Sequence, residues 1–575
     1  MKILLTTLHS RYIHSSLALP CLGAVSKGIE GIETVIKEFT VNEERSKVIH
    51  QITKTGADLI AFSCYIWNIK DVLEITSILK KEAGNPLIVL GGPEVSFDGE
   101  KILKENEAVD FIVKGEGEES FSSLLKALGE GLSIDNVSGI VARNHKGEIR
   151  STPSLPLPDL DSIPSPFTAG LVNMDKPLIY YETSRGCPFT CAFCLSSIEE
   201  RVRAFSMERV KSDLSCLREK RAATIKLVDR TFNYNPKRAD EIWSFILEKT
   251  ISSKYHFEIA ADLLTDENLE ILKHVPPGIF RFEIGIQSIA EETLHSVGRN
   301  SDLVKLFANI KRLVAETEID IHLDLVAGLP GENFEGFLAS LERLFNLKGH
   351  HIQVEPLKVL KGAPMMAIAK KEGYLWSHDP PYRIITTPWL DEEEIEKIET
   401  IGRLLELLYN SGRFHESLKI ISRTGPLSQF FADLACYWIK QNKDFMPLDE
   451  LFETLARFAG TLFNKSRLPY FCDALAFDRA MAGYPFEKGL PSYFILKDNF
   501  EWQVDRKKIA EIRTRLNISP TCMVKAVCWQ FDKNIERPHI ENKNPLLFIY
   551  LSQKGKKQEV VVKSLSQIFP PASSL

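Results

Sequence analysis

Three cysteines fall within eight residues, Cys187, Cys191 and Cys194, in the run TSRGCPFTCAFCLSS that begins at Thr183. Thiols spaced C-x3-C-x2-C directly after a strand candidate have few physical uses. A structural zinc site takes four ligands, usually as two separated pairs, and Cys64 and Cys528 elsewhere stand singly. A redox pair would be C-x2-C in a thioredoxin-like setting, with the third thiol superfluous. Three thiolates can instead hold three corners of a 4Fe-4S cubane. One iron then lacks a protein ligand, and an open coordination position on a redox-active metal is a place for substrate. Phe189 and Phe193, between the thiols, would help shield such a cluster from water.

The chain that must position these residues is 575 residues long, enough for roughly three or four domains. With 44% hydrophobic and 26% charged residues it has the composition of an ordinary globular protein. A net charge of -6 gives no general attraction to nucleic acid, so none is expected as a partner. No apolar run reaches the roughly 18–20 residues that span a bilayer. The start MKILLTTLHSRYIHSS lacks the apolar core of a signal peptide and reads as a strand entering a loop. A cytoplasmic location without membrane contact is expected, where thiols stay reduced. The seven remaining cysteines are scattered and read as small buried hydrophobes.

The fold class is α/β in its first two parts. Over 1–150, the short β-branched runs KILLTTL, TVIKEFT, DLIAFSCYI, PLIVLGG and DFIVKGE alternate with helical patterns such as NIKDVLEITSILKKE and ESFSSLLKALGEG. Runs apolar on both faces predict a doubly wound, Rossmann-like parallel sheet, closed by a hairpin in VSGIVARNHKGEIRST. A Pro-rich linker over 151–175 includes TPSLPLPDLDSIPSPF, which reads as extended. Over 176–390, six strand candidates (PLIYYETSR, TIKLVDRTF, YHFEIAADLL, RFEIGIQS, DIHLDLVAGLP and HIQVEPLKVL) alternate with helical patterns such as PKRADEIWSFILEK. They predict a partial (β/α)6 TIM-type barrel, with its chemistry at the carboxyl ends of the strands. The segment 391–575 reads as a mainly helical extension with late strands at TCMVKAVCWQF, PLLFIYLSQ and KQEVVVKSL, and it carries no catalytic motif.

The cysteine spacing after the first strand of a partial barrel resembles the radical S-adenosylmethionine superfamily. The resemblance implies a 4Fe-4S cluster on Cys187, Cys191 and Cys194 whose free iron is chelated by the amino and carboxylate groups of S-adenosyl-L-methionine. One electron then cleaves the sulfonium bond and yields a 5'-deoxyadenosyl radical. It also implies an oxygen-sensitive enzyme and a reductant partner such as flavodoxin or ferredoxin. Carried over by motif, Asp229 in LVDRTFN would seat the methionine amine, ahead of Arg230 and Asn233. Gln287 in FEIGIQS would face the adenosyl moiety, and Arg299 in LHSVGR would pair with the methionine carboxylate, for which a guanidinium fork is suited. Asp324 and Gly328 in DLVAGLPGE fall where ribose and adenine contacts occur, and Glu258 and Glu283 point towards the same mouth. For each, the plain alternative is a strand-end residue satisfied by local hydrogen bonds.

The loops after the amino-terminal strands are SCYIW, GGPEVSFD and KGEGE. Glycines at strand ends let the backbone approach a flat or phosphorylated ligand closely. A dinucleotide domain would show G-x-G-x-x-G after the first strand, but that turn reads TTLHSRYIHSSLA. Together with RYIHSSLALP, these loops resemble the cobalamin-binding domain that precedes the barrel in one branch of the superfamily. By that resemblance Ser63, Gly91, Gly92, Pro93, Gly115, Glu116 and Gly117 would line the nucleotide tail and corrin face. Many such domains carry D-x-H-x-x-G, whose histidine ligates cobalt; the corresponding positions here are Thr7, His9 and Tyr12. A ligating histidine needs an orienting partner, so a base-off cobalamin without a histidine lower ligand is expected, with His9 and His14 as polar loop residues. The resemblance covers residues 1 to about 365, and the remainder resembles an uncharacterised extension that some of these proteins carry.

The function implied is methylation of an unactivated carbon of a small-molecule substrate by a radical and methylcobalamin. A radical cyclase or rearrangement enzyme with the same cofactors is the alternative. A tRNA methylthiotransferase normally carries further cysteines upstream, where this chain has only Cys21 and Cys64, and its basic run DRKKIAEIRTR reads as a solvated helix face. A corrinoid or redox sensor remains as a non-enzymatic reading.

Overall fold

The computed structural model describes residues 1–82, 84–144, 146–199, 201–248, 253–441, 446–487, 489–494, 504–531, 545–553 and 555–569. His145 of the predicted hairpin and Lys249 at the end of a predicted helix lie outside them. The described part forms two compact units, Met1–His350 with Glu355–Ile395, and His351–Val354 with Glu396–Leu575.

The first unit opens with strands β1 (Lys2–His9), β2 (Glu33–Thr40), β3 (Leu59–Ser63), β4 (Leu87–Gly91), β5 (Phe111–Val113), β6 (Ile140–Arg143) and β7 (Ile149–Ser151), ordered β2-β1-β3-β4-β5-β6-β7. β1 to β5 are parallel, whereas β6 and β7 form the antiparallel hairpin expected from the sequence. Every residue of β3 is buried, because helices cover both faces. α1 (Ala18–Ser26) and α6 (Gly117–Glu130) pack on one face, and α2 (Arg45–Thr53), α3 (Ile69–Glu82), α4 (Pro93–Ser96) and α5 (Gly99–Glu105) on the other. α3 buries Ile69, Val72, Ile75 and Leu79, a stripe at helical period; Asp71 in its first turn and Lys80 and Lys81 in its last oppose the helix dipole. Strand order reverses between β1 and β3, and the loops after these strands therefore flank the crevice where such sheets bind ligands.

The Pro-rich segment that follows is not a solvated spacer. Leu160, Ile163 and Phe167 are buried. Ser165 Oγ donates to Asp213 at 2.5 Å, and Arg209 donates to the Ile163 carbonyl at 2.7 Å. Prolines cannot donate backbone hydrogen bonds, but carbonyls in such a stretch still accept, and arginines of the barrel reach them.

The six-stranded sheet runs β15-β14-β13-β12-β11-β8, in sequence order. Its strands are β8 (Leu178–Tyr181), β11 (Thr224–Leu227), β12 (Lys254–Ile259), β13 (Phe280–Gln287), β14 (Asp320–Ala327) and β15 (His351–Pro356); a short ribbon of β9 (Ser184–Arg185) and β10 (Arg203–Ala204) stands between β8 and β11. The intervening helices are α7 (Met207–Glu219), α8 (Pro236–Leu247), α9 (Asp266–Leu272), α10 (Glu291–Ser296), α11 (Leu303–Glu316) and α12 (Phe334–Leu347). This is the partial (β/α)6 barrel expected. Side chains alternate along each strand. Those turned towards the helices are apolar and buried: Ile179, Ile225, Phe257, Phe282 and Leu323. Trp243 of α8 joins Phe232, Phe257 and Phe282 in an aromatic cluster with ring centroids 4.7 to 6.3 Å apart. The other set, including Tyr180, Lys226, Glu258, Glu283 and Asp324, is polar and half-buried. After the barrel, α13 (Met365–Glu372) precedes a small ribbon of β16 (Leu375–Trp376) and β17 (Ile384–Thr386).

The second unit takes up most of α14 (Glu392–Leu404), then α15 (His415–Ser422), α16 (Leu427–Gln441), α17 (Leu448–Leu462), α18 (Leu468–Met481) and α19 (Arg506–Arg515). An antiparallel sheet of β18 (Met523–Trp529), β19 (Leu546–Ser552) and β20 (Glu559–Ser564) follows, with α20 (Leu565–Ile568) behind it. Asp478 of α18 accepts from the backbone of Glu416 and Ser417, which caps α15.

Phe257 is the shared member of the aromatic cluster, so Phe257→Ala is expected to destabilise the barrel by about 3–5 kcal/mol. Urea unfolding followed by tryptophan fluorescence reads that loss, and a change below about 1 kcal/mol would show that the cluster relaxes into the space.

Candidate active site

The cysteine loop is anchored before it carries chemistry. Arg185 of β9 pairs with Arg203 of β10, which closes the loop at its base. Gly186 has φ +93°, and a Cβ there would lie 2.5 Å from the Arg201 carbonyl oxygen. Further along, Ala192 N donates to Val297 O at 2.7 Å and accepts at its own carbonyl from Met365 N at 2.8 Å. The thiols of Cys187, Cys191 and Cys194 are free and line one cavity of about 210 Å3 with Phe189, Phe193, Arg230, Glu258, Glu283, Gln287, Arg299 and Asp324. Cys187 Sγ lies 3.4 Å from Thr231 Oγ1, and Arg299 Nη1 donates to Cys191 Sγ at 3.6 Å. Burial raises the pKa of Cys191, and Arg299 opposes that rise by favouring the thiolate.

Among the described residues, no group of three His, Cys, Asp or Glu side chains is set to grip a single ion. The donor set of three thiols lining one cavity fits a 4Fe-4S cluster with one iron free of protein ligands.

Opposite the thiols, the inward side chains of four strands form a charged wall. Lys226 Nζ of β11 lies 3.4 Å from Glu258 Oε1 of β12 and 3.0 Å from Glu283 Oε2 of β13. His256 Nε2 lies 2.9 Å from Glu283, and His322 Nε2 lies 3.1 Å from Asp324 on β14. Burial alone would raise the Glu283 carboxyl, but the His256 hydrogen bond and the Lys226 charge outweigh it and hold that pKa well below the usual range. Burial raises Glu258, with Lys226 pulling back, and raises Asp324, with His322 pulling back. β13 ends in a bulge, with the register shifting between Gly285 and Gln287, and Gln287 takes φ +71°. Arg299 also donates to the Gly285 carbonyl and stands 5.7 Å from the Phe189 ring. Gly328, at φ +87°, accepts from Tyr374 OH through its carbonyl and has Ile384 against its Cα, so it lies behind this wall.

Asp229, Asn233 and Glu116, expected at the cofactor sites, are engaged elsewhere in the structure. Asp229 does not enter the cavity. It is fully buried and accepts from Thr183 N at 3.0 Å, Thr183 Oγ1 at 2.6 Å and Ser184 Oγ at 2.6 Å, which fixes the strand just before the cysteine loop. The backbone at the end of β11 turns Arg230, not Asp229, into the cavity. Asn233 is likewise buried and bridges to the backbone of Ala260. Glu116, expected on the corrin face, is held by the barrel: Arg203 donates to both its oxygens at 2.6 and 3.0 Å, and Leu157 N donates at 2.8 Å. Burial would raise its pKa, but Arg203 and Leu157 hold it low.

The other loop residues at the carboxyl edge of the amino-terminal sheet lie together. Gly92 has φ +103°, and a Cβ there would fall 2.6 Å from Cys64 O. Gly91 ends β4 and Pro93 begins α4; Gly115, at φ +65°, lies under Ser154, and Gly117 begins α6 against Leu22. Ser63 O accepts from Thr7 Oγ1 at 2.9 Å. Asn68 Nδ2 donates to Thr7 Oγ1, Leu8 O and Ser63 O at 3.1 to 3.2 Å, and Trp67 Nε1 donates to Leu8 O at 3.0 Å. Tyr65 and Trp67 stack at 4.4 Å. Asn68, Tyr65 and Trp67 escaped the sequence reading, although the loop SCYIW pointed to their place. His9 Nε2 lies 3.4 Å from Glu38, and His14 Nδ1 lies 2.8 Å from Tyr180 OH of β8.

Comparison with known proteins agrees with this geometry. Residues 3–125 match the B12 binding domain model and residues 181–344 the Radical SAM superfamily model. The two domain models together support a cobalamin-binding protein of the radical S-adenosylmethionine type. Residues 370–561 match a family described as a protein of unknown function, DUF4080. The chain is similar to 2-(S-pantetheinyl)-carbapenam-3-carboxylate methyltransferase of Streptantibioticus cattleyicolor, with 25% identity over 365 residues, 60% of this chain and 54% of that protein. It is 31% identical over 264 residues to an uncharacterized methyltransferase of Pyrococcus horikoshii, covering 44% and 57% of the two chains. The chain thus spans a little over half the length of these relatives. Among solved structures, the cobalamin-dependent S-adenosylmethionine radical enzyme OxsB with aqua-cobalamin bound matches at TM-score 0.59 and 16% identity, over 83% of this chain and 79% of that one. Among the described residues no helix is long and apolar enough to cross a membrane.

The charged wall depends on Lys226. In Lys226→Met, Glu258 and Glu283 lose their shared cation, and a broken buried pair is expected to lower stability by about 3 kcal/mol at pH 7. The sign follows from linkage. With Lys226 the Glu283 pKa is depressed, so its contribution is present above the unfolded carboxyl value and is lost as pH falls through the folded one. The gap between wild type and variant should therefore be widest at neutral pH and shrink progressively as pH falls below the ordinary glutamate value of 4.5, as denaturant midpoints across pH would record.

Proposed function

We propose that this chain is a cobalamin-dependent radical S-adenosylmethionine enzyme that methylates an unactivated carbon of a small-molecule substrate. The observation that carries this reading is the single cavity shared by Cys187, Cys191, Cys194, Gln287, Arg299 and Asp324. It lies in the same compact unit as the glycine-bearing loops of the amino-terminal sheet. The methyltransferase among the relatives supports the reaction class.

In this reading Cys187, Cys191 and Cys194 hold the cluster, and Arg299 beside Cys191 favours the thiolate of that residue. The Arg299 guanidinium is a planar fork, suited to the carboxylate of the methionine end, and its hydrogen bond to Gly285 O fixes its angle. Gln287 and Asp324 serve the adenosine end, with the Gly328 turn packed behind them. Arg230 stands where Asp229 was expected, and Asp229 instead braces Thr183 and Ser184 beneath the loop. Ser63, Gly91, Gly92, Pro93, Gly115 and Gly117 give a backbone surface close enough for the corrin and its tail, while Glu116 holds that surface to the barrel. The reading of a base-off cobalamin without a histidine lower ligand rests on Thr7 and Tyr12 standing at the aspartate and glycine positions of the ligating motif. When bound, the cluster supplies the electron that cleaves the sulfonium donor, and cobalamin carries the methyl group. Phe189 and Phe193 exclude water from the thiol side. A flavodoxin or ferredoxin is the fitting electron donor, in a reducing cytoplasmic setting.

Anaerobic preparation with iron, sulfide and hydroxocobalamin tests the reading. Iron content, corrin absorbance and 5'-deoxyadenosine release should appear together, and Cys191→Ala should lower the release by about a hundredfold or more. Donor labelled in its methyl carbon separates methylation from cyclisation, since only methylation moves the label into product. Zinc in the cysteine loop of an oxygen-free preparation would overturn the proposal.

A further inference from the structure

The motif DLVAGLPGE ends in Glu332, a residue to which the chemistry above assigns nothing. It is only 3% exposed. Its Oε1 accepts from Ser288 Oγ at 2.5 Å and from Ser340 Oγ at 3.4 Å, while its Oε2 is buried without a hydrogen-bond partner. Among the described residues no lysine or arginine lies within ion-pair distance of it. The polar groups that face it are Ser288 after β13, Ser340 of α12 and Tyr374 after α13, whose own pKa burial raises. Positive φ at Gly328 and Gly331 makes the turn that brings Glu332 under the end of β13.

What Glu332 touches explains why it is there. Ser288 directly follows Gln287, the residue in the left-handed region at the β13 bulge. Few non-glycine residues hold that conformation unless their surroundings impose it. Here the next three residues are pinned. Ser288 N donates to Ile286 O at 2.9 Å, Ala290 N donates to Ser288 Oγ at 3.2 Å, and Ile289 N donates to Ser340 Oγ at 3.3 Å. Both hydroxyls then donate to the same carboxylate oxygen. Gln287 lines the cavity, and its Oε1 has no hydrogen-bond partner among the described residues.

We propose that Glu332 is a positioning residue for Gln287: by anchoring Ser288 and Ser340 on one oxygen it fixes the bulge, and so the direction in which Gln287 meets the adenosyl donor. The inference rests on the reading that Gln287 contacts that donor. Glu332 itself touches neither cofactor nor substrate. Burial pushes its carboxyl up to about 7, so the folded state holds a proton that the unfolded chain releases at its ordinary value of 4.5. Stability therefore falls as pH rises across that window and stays lower above it.

The test measures S-adenosylmethionine binding by equilibrium dialysis to the anaerobically reconstituted full chain, with the cluster oxidised. Gln287→Ala should weaken binding, and Ser288→Ala and Glu332→Ala should each weaken it about fivefold at unchanged iron content, the loss of one buried hydrogen bond. Glu332→Gln keeps the accepting oxygen, so it should bind within about twofold of wild type and show a shallower decline in melting temperature between pH 5 and 7 than wild type. A merely structural role would lower melting temperature in Glu332→Ala and leave affinity alone. If Glu332→Ala fails to fold, Ser288→Ala decides alone. Wild-type affinity in Ser288→Ala and Glu332→Ala, beside weakened Gln287→Ala, overturns the positioning role. Wild-type affinity in Gln287→Ala overturns the underlying reading and the inference with it.

Discussion

The structure depends on keeping three sulfurs apart around a space while the loop that carries them is held still. The loop cannot do this alone, since the 17 residues between Arg185 and Arg203, Gly186 and Pro188 among them, have no core of their own. It is fixed from outside. Arg185 at its start pairs with Glu182 and with Glu118 of α6, each at 2.6 Å, and lies 3.5 Å from Glu116. Arg203 at its end takes Glu116 and reaches Glu199 at 3.2 Å. Val297, Gly298 and Met365 hold its middle. Two arginines and four carboxylates therefore tie the thiol loop to the amino-terminal sheet as firmly as to the barrel. Such a partly buried network adds little net stability, because desolvation offsets most of the Coulomb gain. What it gives is one arrangement, since any other leaves a charge buried without a partner.

The same division of labour runs through the barrel. Its outward side chains are apolar and carry the packing, above all the cluster around Trp243 and Phe257. The inward set is thereby free to be polar, and its charges pair in two groups, Lys226 and His256 with Glu258 and Glu283, and His322 with Asp324. A complete barrel of this type fills its interior with branched apolar side chains. The six-stranded version leaves its interior open on one side, and charge in that space is tolerable only because it is paired.

The strands were legible because a strand buried on both faces has a plain sequence form, as in LIAFS at β3 and FIV at β5. The thiol spacing was legible because it is local. Direction was not. Asp229 and Arg230 are adjacent, and which one enters the cavity depends on how β11 ends against Thr183, some 46 residues earlier in the chain. Glu116 lies in a glycine-rich loop of the kind that meets ligands, but its partner Arg203 is 87 residues away. The Pro-rich segment was expected to be extended, and it is neither helix nor strand for most of its length; its packing onto α7 comes from Arg209 and Asp213, which the segment's own composition does not contain. Local pattern shows period and residue type; it does not show which distant charge claims a side chain.

The acids of the amino-terminal loops all follow this rule. Glu94 in GGPE accepts from Tyr382 OH and pairs with Lys361 at 3.1 Å, Glu116 and Glu118 in the next loop take Arg203 and Arg185, and each acid sits beside a glycine of positive φ or at a helix start. Each loop thus has two sides: carboxylates bound by Lys361, Arg203 and Arg185, and glycine backbone packed closely, at Gly92 on Cys64 and at Gly115 under Ser154. At Glu116 and Glu118 the ion pairs that hold the thiol loop also hold the loop after β5, so neither loop is set by its own sequence alone.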